Sequence, residues 1–555
     1  MLALLRSFIN SYFRRAQAIL RVWVEQPALF RKFLRESQPG QALLCMGLGI
    51  AVAAVISTLH RIIALGHEWV FQLESGSHLS SAKHITWPHL LIIPALGGLM
   101  VGVVAMLSKR WRPREIVDPI EANATLGGRM SMTDNLRLLS EAVISNIAGA
   151  SVGMEAAYTQ IGSGLMSWLG QRMQLRREDL RIFVAAGAAA AIAAAFNAPL
   201  AGAFYGFELV LGTYTIAALP QVALAALSGA LFVRMFTNDE AIFSLSTRVI
   251  DIPDWNYPLF FLLGIVSAML GIATMKMVTK CEHIATKLTI PEWLRPALGG
   301  ILVAITAMMF PQVLGSGQGA IDEHLNQHWP LMVLVGILFA KMVASAVSIG
   351  TGFRGGLFSS ALFLGCLLGQ VFGILAGTIL PQTDGQLESF MLVGMGAVAA
   401  SIVGAPITMV MLVLELTGNF PATTGVLLGV LVSSAITRYA FGYSFSTWRF
   451  HLRGLRIHSA QDIGWVGDIT VEKLMFHDAK TVTSTTLLEQ LRQIAPAGSA
   501  KRLFVMDAGD DYQGMIDVPA MHHPDLDKSV STITAQELAK GKEFYLLPGD
   551  DIQQA

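Results

Sequence analysis

Charge is what this sequence has least of. Only 14% of its 555 residues are Asp, Glu, Lys or Arg, against 53% apolar. Soluble globular chains carry roughly 25% charged residues, so an ordinary soluble protein is excluded for most of the length. The 39 basic and 39 acidic residues cancel, leaving no positive excess to bind nucleic acid. Cysteine is scarce too. Cys45, Cys281 and Cys366 lie far apart in or beside apolar segments, without metal-ligand spacing, and packing is the role expected of them. His60, His67 and His283 are scattered, and no nucleophile–base pair accompanies them. No enzyme and no metal site is expected. The start of the chain carries no evident cleavable signal peptide.

What fills the sequence instead is apolar length. Runs at 42–65, 89–108, 182–235, 258–277, 331–380 and 389–440 are each long enough to cross a bilayer at about 20 residues per span. An all-α polytopic membrane domain over 37–450 is therefore expected, with a soluble tail after it. Residues 1–36 carry Arg6, Arg14, Arg15, Arg21, Arg31, Lys32 and Arg35 against Glu25 and Glu36. That pattern reads as a basic amphipathic arm on the cytoplasmic face. "KRWRPR" (109–114) marks a second cytoplasmic loop, whereas loop 66–88 has only Lys83 and is expected to face outward. Both termini are then cytoplasmic.

The apolar region repeats itself. "NAPLAGAFYGFEL" (197–209) and "GAPITMVMLVLEL" (404–416) share Ala-Pro 207 residues apart, each followed nine positions later by a glutamate, Glu208 or Glu415. Each of these glutamates is expected to hydrogen-bond local backbone. Gly-rich stretches precede both copies, "AGASVGMEAAYTQIG" (148–162) and "GTGFRGGLFSSALFLG" (350–365). Repeats with Gly- and Pro-interrupted spans point to a transporter fold whose site lies where broken helices meet. Helix N-termini aimed inward present free N–H groups and partial positive charge, which suits an anion. Glu155 stands alone in the first Gly-rich stretch, and a lone carboxylate in a membrane needs a function or a partner.

These residues resemble the CLC family of chloride channels and anion/proton antiporters. "GAAAAIAAAFNAPLAG" (187–202), "GGLFSS" (355–360), "GAVAASIVGAPITMVMLVLELTGNF" (396–420) and "GMEAA" (153–157) match its motifs in the family's order over roughly residues 40–450. The resemblance implies an inverted-repeat fold with broken helices, a homodimer with one path per subunit, and chloride or another small anion as cargo. It implies a bacterial inner membrane setting. Glu155 would be the gating glutamate, its carboxylate competing with the anion until protonated. Backbone amides around Gly153, Met154, Gly356, Leu357 and Phe358 would bind the anion.

Four departures from the family's pattern qualify that picture. No serine matches its first filter segment, whose place falls near "REIVDPIEA" (114–122), so amides of Ile116, Val117 and Asp118 would substitute. The basic residue usually before the gate is Met154, which implies opening at milder acidity. The pore tyrosine's place falls on Ser446, and Tyr443, three positions earlier, is not expected to reach the ion. The internal proton glutamate is replaced by Leu209, which cannot relay a proton. Channel-like, uncoupled anion flow is therefore the leading expectation, with an anion/proton antiporter as the alternative.

Residues 459–555 resemble a small α/β CBS domain, with strands over 503–506 and 515–518 and an incomplete second copy beginning near Ser531. Such domains commonly bind adenosine nucleotides. A nucleotide-sensing regulatory protein with an inert membrane domain is the reading from another class, and the intact Glu155 and GGLF segments argue against inertness.

Overall fold

The computed structural model describes residues 32–543 apart from 34, 36, 75, 83–84, 238–251, 328, 384, 455–470, 476–478, 500–501 and 530–531. The basic arm expected over 1–36 lies almost wholly outside the described residues. The chain divides into two units, Met1–Asp462 and Ile463–Ala555, a few residues beyond the expected start of the tail.

The first unit is helical and built twice. Its first half runs α1 (Gln38–Phe71), α2 (Trp87–Trp111), α3 (Pro119–Thr125), α4 (Met132–Ile147), α5 (Glu155–Arg172), α6 (Arg177–Phe196), α7 (Pro199–Tyr205) and α8 (Leu219–Phe236). The second half repeats that order: α9 (Tyr257–Lys287), α10 (Arg295–Met309), α11 (Gln318–Asn326), α12 (Leu331–Thr351), α13 (Phe358–Ile379), α14 (Leu387–Val403), α15 (Pro406–Thr417) and α16 (Phe420–Ala440). A last helix, α17 (Phe445–Leu452), follows. Partners repeat as well: α1 packs on α8 as α9 packs on α16, and α5 on α6 as α13 on α14. The halves meet through α2 with α10 and α7 with α15, which are equivalent helices in the two copies.

Among the described residues, nine helical segments are long and apolar enough to cross a membrane. They are not alike. The apolar window of α6 is 83% buried inside the protein and that of α2 only 33%. A helix apolar all round belongs in a core, and the alanine run of α6 lets neighbours close in on every side. Two glycine pairs permit close crossings. A side chain on Gly162 of α5 would strike the Gly187 carbonyl of α6, and the reverse holds too; Gly365 of α13 and Gly394 of α14 stand in the same relation.

Sequence also explains how the helices break. Asn197 (φ 54°) and Gly404 (φ 80°) end α6 and α14 in the left-handed region, which asparagine and glycine adopt most readily. Pro199 and Pro406 then start α7 and α15 at the helix position where a missing N–H costs nothing. Each new N-terminus is capped from the other half, not locally as expected. Glu208 accepts from the Ile407 and Thr408 amides at 3.0 and 2.9 Å and from the Thr408 hydroxyl at 2.8 Å. Glu415 accepts from the Leu200 and Ala201 amides, both at 2.8 Å. A carboxylate at a helix N-terminus satisfies orphan donors and the helix dipole together. Two acidic residues in apolar helices are thus accounted for by structure alone.

The second unit is a small α/β fold. Strands β1 (Thr481–Thr483), β2 (Arg502–Met506) and β3 (Tyr512–Asp517) form one sheet in that order, β1 parallel to β2 and β2 antiparallel to β3. Helix α18 (Leu488–Ile494) supplies the crossover that a parallel pair requires. Leu488, Leu491, Leu503, Val505 and Ile516 are buried in its core. The arrangement is consistent with a CBS-like domain. The segment after 531 does not begin a separate unit among the described residues. Ala535 is buried in the same core, the Leu488 amide donates to the Ile533 carbonyl at 2.9 Å, and Met515 and Lys540 exchange both backbone bonds at 2.9 Å. Its apolar residues complete the one sheet's packing.

A candidate anion site at two helix N-termini

The two Gly-rich stretches come together. Gly153 and Gly356 exchange both backbone hydrogen bonds, at 2.8 and 2.9 Å, as an isolated antiparallel bridge. This corrects one expectation: the amides of Gly153 and Gly356 are occupied by each other's carbonyls and are not aimed at an anion. The bridge instead fixes the starts of α5 and α13 side by side. Met154 and Leu357, 4% and 3% exposed, are the N-cap residues of α5 and α13.

The helical ladders begin with Tyr158 donating to Met154 at 2.9 Å and Ala361 donating to Leu357 at 2.7 Å. The N–H groups of Glu155, Ala156 and Ala157, and of Phe358, Ser359 and Ser360, therefore fall in the first turns, where no earlier carbonyl of the same helix serves them. Two converging N-termini make a place for negative charge.

The Glu155 carboxylate is at that place. It is 3% exposed, its Oε1 accepts from the Ser359 hydroxyl, and it interacts with the Ser359 amide and with Lys341. The carboxylate folds back over Gly153, where any side chain would occupy the same space. Lys341, fully buried on α12, donates to the Val313 and Gly315 carbonyls at 3.2 and 2.8 Å. A buried lysine held by carbonyls stands in a region of few basic side chains.

Phe358 is buried, its ring 5.0 Å from that of Phe196 and 6.2 Å from that of Tyr205. Tyr205 is half-buried beside it. Ile116 and Val117 are half-buried. The Val117 carbonyl accepts from Gln160 of α5 at 2.8 Å, and Asp118 turns back to cap α3 through the Ile120 amide at 2.8 Å. The segment is thereby tied to the helix that carries Glu155.

Other expected positions fall outside this cluster. Ser446 is half-buried in the first turn of α17, and no hydrogen bond among the described residues joins it to Glu155. Tyr443 stacks on His451 at 4.7 Å and packs on Trp448, within a local aromatic group. Leu209 lies in a wide π-helical stretch, Gly206–Leu211, packed against Ile120, Ala124 and Phe450.

Three features went unread in the sequence: Ser359, Lys341 and a charged anchor. Glu141, fully buried on α4, pairs with Arg137 at 3.1 Å and with Arg354 at 2.9 Å. The Arg354 amide also donates to the Ser145 hydroxyl at 3.0 Å. Together they pin the segment before GGLF to the first half. The single lysine in an otherwise apolar 21-residue helix was the available signal for Lys341.

Converging helix N-termini, broken spans and a buried carboxylate between the two halves define a membrane protein built to hold an anion within its core. The voltage-gated chloride channel family profile matches residues 100–438, more than half of the chain, and the protein belongs to that family. It is 29% identical to a putative ClcB-like chloride channel protein of Ralstonia nicotianae over 379 residues, covering 67% of this chain and 88% of the relative. It is also 29% identical to a voltage-gated ClC-type chloride channel ClcB of Escherichia coli over 395 residues, covering 70% and 93%. The fold is shared with a slow cyanobacterial Cl−/H+ antiporter (TM-score 0.66, 22% identity, 75% of this chain and 98% of the other). A eukaryotic CLC transporter shares it too (TM-score 0.62, 17% identity, 87% and 88%).

Proposed function

We propose that this protein conducts small anions, chloride among them, across a membrane, with Glu155 as a protonatable gate. The observation that carries this reading is the Glu155 carboxylate seated between the N-termini of α5 and α13 and held by Ser359. Donors that stabilise a tethered carboxylate stabilise a free anion equally well. The two compete for one place, and protonating Glu155 removes the competitor's charge. Leu209, in its apolar surroundings, supports anion flow uncoupled from protons. The names of the relatives favour chloride as cargo, and their bacterial sources favour a bacterial membrane as the setting.

The test is electrical. Purified full-length protein in liposomes under crossed chloride and pH gradients is expected to reverse at the chloride potential alone. A reversal potential that also follows pH would contradict uncoupled flow.

The antiporter is the second reading, favoured by the fold shared with a slow cyanobacterial Cl−/H+ antiporter. If it holds, a chloride gradient drives uphill proton movement that Glu155→Gln abolishes.

We also infer a homodimer with an independent path in each subunit, because both helix N-termini of the site come from one chain. The tail acts as a regulatory or dimer-stabilising module, with an adenosine nucleotide as the ligand its CBS-like fold suits.

A further inference from the structure

The segment that resembles the family's first filter contains no hydroxyl: Glu115, Ile116, Val117 and Asp118 occupy it. Asp118 is committed to the Ile120 amide and the Val117 carbonyl to Gln160. A hydroxyl donor is nevertheless present in the site, on the opposite half.

We propose that Ser359 is the specificity-determining hydroxyl of this site, holding the Glu155 carboxylate when the gate is shut and donating to the anion that replaces it when the gate opens. The inference rests on Glu155 being the gate. Ser359 is fully buried as the second residue of α13. Its hydroxyl has one proton to give, and the neighbours decide where that proton points. Gln318, at the start of α11, donates its Nε2 to Ser359 Oγ at 3.2 Å, filling the oxygen's acceptor side. The carboxylate of Glu155 only accepts, so the Ser359 proton is directed at it. A halide is likewise only an acceptor. An anion entering the carboxylate's place, over the bare Cα of Gly153, meets the same oriented O–H and the same first-turn amides.

Among the described residues, Ser359 is the one side chain hydrogen-bonded to the Glu155 carboxylate. Lys341 from α12, Tyr158 on α5 itself and Tyr205 from α7 interact electrostatically with Glu155. The Lys341 amine donates to the Val313 and Gly315 carbonyls. A hydroxyl discriminates, because its bond is stronger to a small, strongly hydrated anion than to a large, diffuse one.

The experiment compares Ser359→Ala, Ser359→Thr and Glu155→Gln in the full-length protein in liposomes, reading two quantities. One is the pH midpoint of acid-activated flux; the other is the chloride-to-thiocyanate flux ratio. Ser359→Ala removes a donor to the charged gate, so the midpoint is expected to rise by roughly one pH unit, the size of one charge-assisted hydrogen bond. The chloride-to-thiocyanate ratio is expected to fall several-fold. Ser359→Thr keeps the hydroxyl and is expected to restore both.

Should Ser359→Ala fail to fold, Gln318→Ala, which frees the Ser359 proton to turn away, is expected to move both quantities the same way by less. If neither quantity moves while Glu155→Gln abolishes the pH response, the Ser359 proposal is overturned and the gate survives. If only the midpoint moves, the anion contact is overturned; if only the ratio moves, the hold on the gate is. Persistence of the pH response in Glu155→Gln overturns the gate reading itself.

Discussion

Glu208 accepts three hydrogen bonds from the first turn of α15, two of them from Thr408, 200 residues further along the chain. Glu415 returns the contact to α7. The two halves thus hold each other by exchanging one carboxylate each for the other's helix N-terminus. This exchange positions the site, because α6 and α14, whose ends the caps follow, pack directly on α5 and α13.

Removing either cap takes away the carboxylate that the first-turn N–H groups donate to. Hydrogen bonds to a charged group are worth about 1.5–3 kcal/mol each when buried, and less where partly exposed, as here. Glu208→Ala is expected to lower the melting temperature in detergent by several degrees, and Glu415→Ala, which loses two bonds rather than three, by less. Equal melting of both variants and the parent protein would show that the exchange does not hold the halves.

The Glu141 anchor predicts an asymmetry. Glu141 is fully buried and faces two arginines, whereas the Arg354 side chain is 41% exposed. Removing the carboxylate deprives the half-buried Arg137 of its ion-pair partner while the Arg112 and Ala105 carbonyls remain, and breaking a buried ion pair costs up to about 3–5 kcal/mol. Glu141→Ala is therefore expected to destabilise far more than Arg354→Ala. Thermal melts of the two variants decide it, and the reverse ranking would place the anchor elsewhere.

Gly153 must be glycine because the gate carboxylate lies where its side chain would be. Gly153→Ala is expected to expel the carboxylate, raising anion flux at neutral pH and flattening its acid response. In the Glu155→Ala background there is no carboxylate to displace, and Gly153→Ala is expected to change flux little. A loss of flux in the single variant, with the protein correctly folded, would contradict this placement of Glu155.

The tail forms its own sheet and core, and every group of the candidate site precedes it. Truncation after residue 462 is expected to leave anion flux intact and to alter regulation or dimer stability. Flux measurements on the correctly inserted truncation test this, and complete loss of transport would refute it.

The sequence was informative where function depends on short local patterns. Spans, the Ala-Pro repeat and the broken helices follow from hydropathy and proline placement, and a lone carboxylate singles out Glu155. What it hid were contacts across the repeat. Glu208 and Glu415 look alike locally, and nothing near either one in the chain shows that its partner amides belong to the other half. Ser359 reads as an ordinary small residue in a helix's first turn. Only the fold reveals that Gln318 and Glu155 lie on either side of its hydroxyl. The amides of Gly153 and Gly356 were misread for the same reason, since a backbone group's availability depends on a partner over 200 residues away.

The central claim is that Glu155 shuts the path as a carboxylate and opens it as an acid. The most direct measurement is anion efflux from liposomes across a pH series, for the parent protein and for Glu155→Gln. Glutamine keeps the shape and cannot ionise. The account predicts that flux through the parent rises as pH falls, whereas Glu155→Gln is open at neutral pH at the parent's acid level and indifferent to pH. A Glu155→Gln protein that conducts nothing, or that keeps the parent's pH dependence, would contradict it.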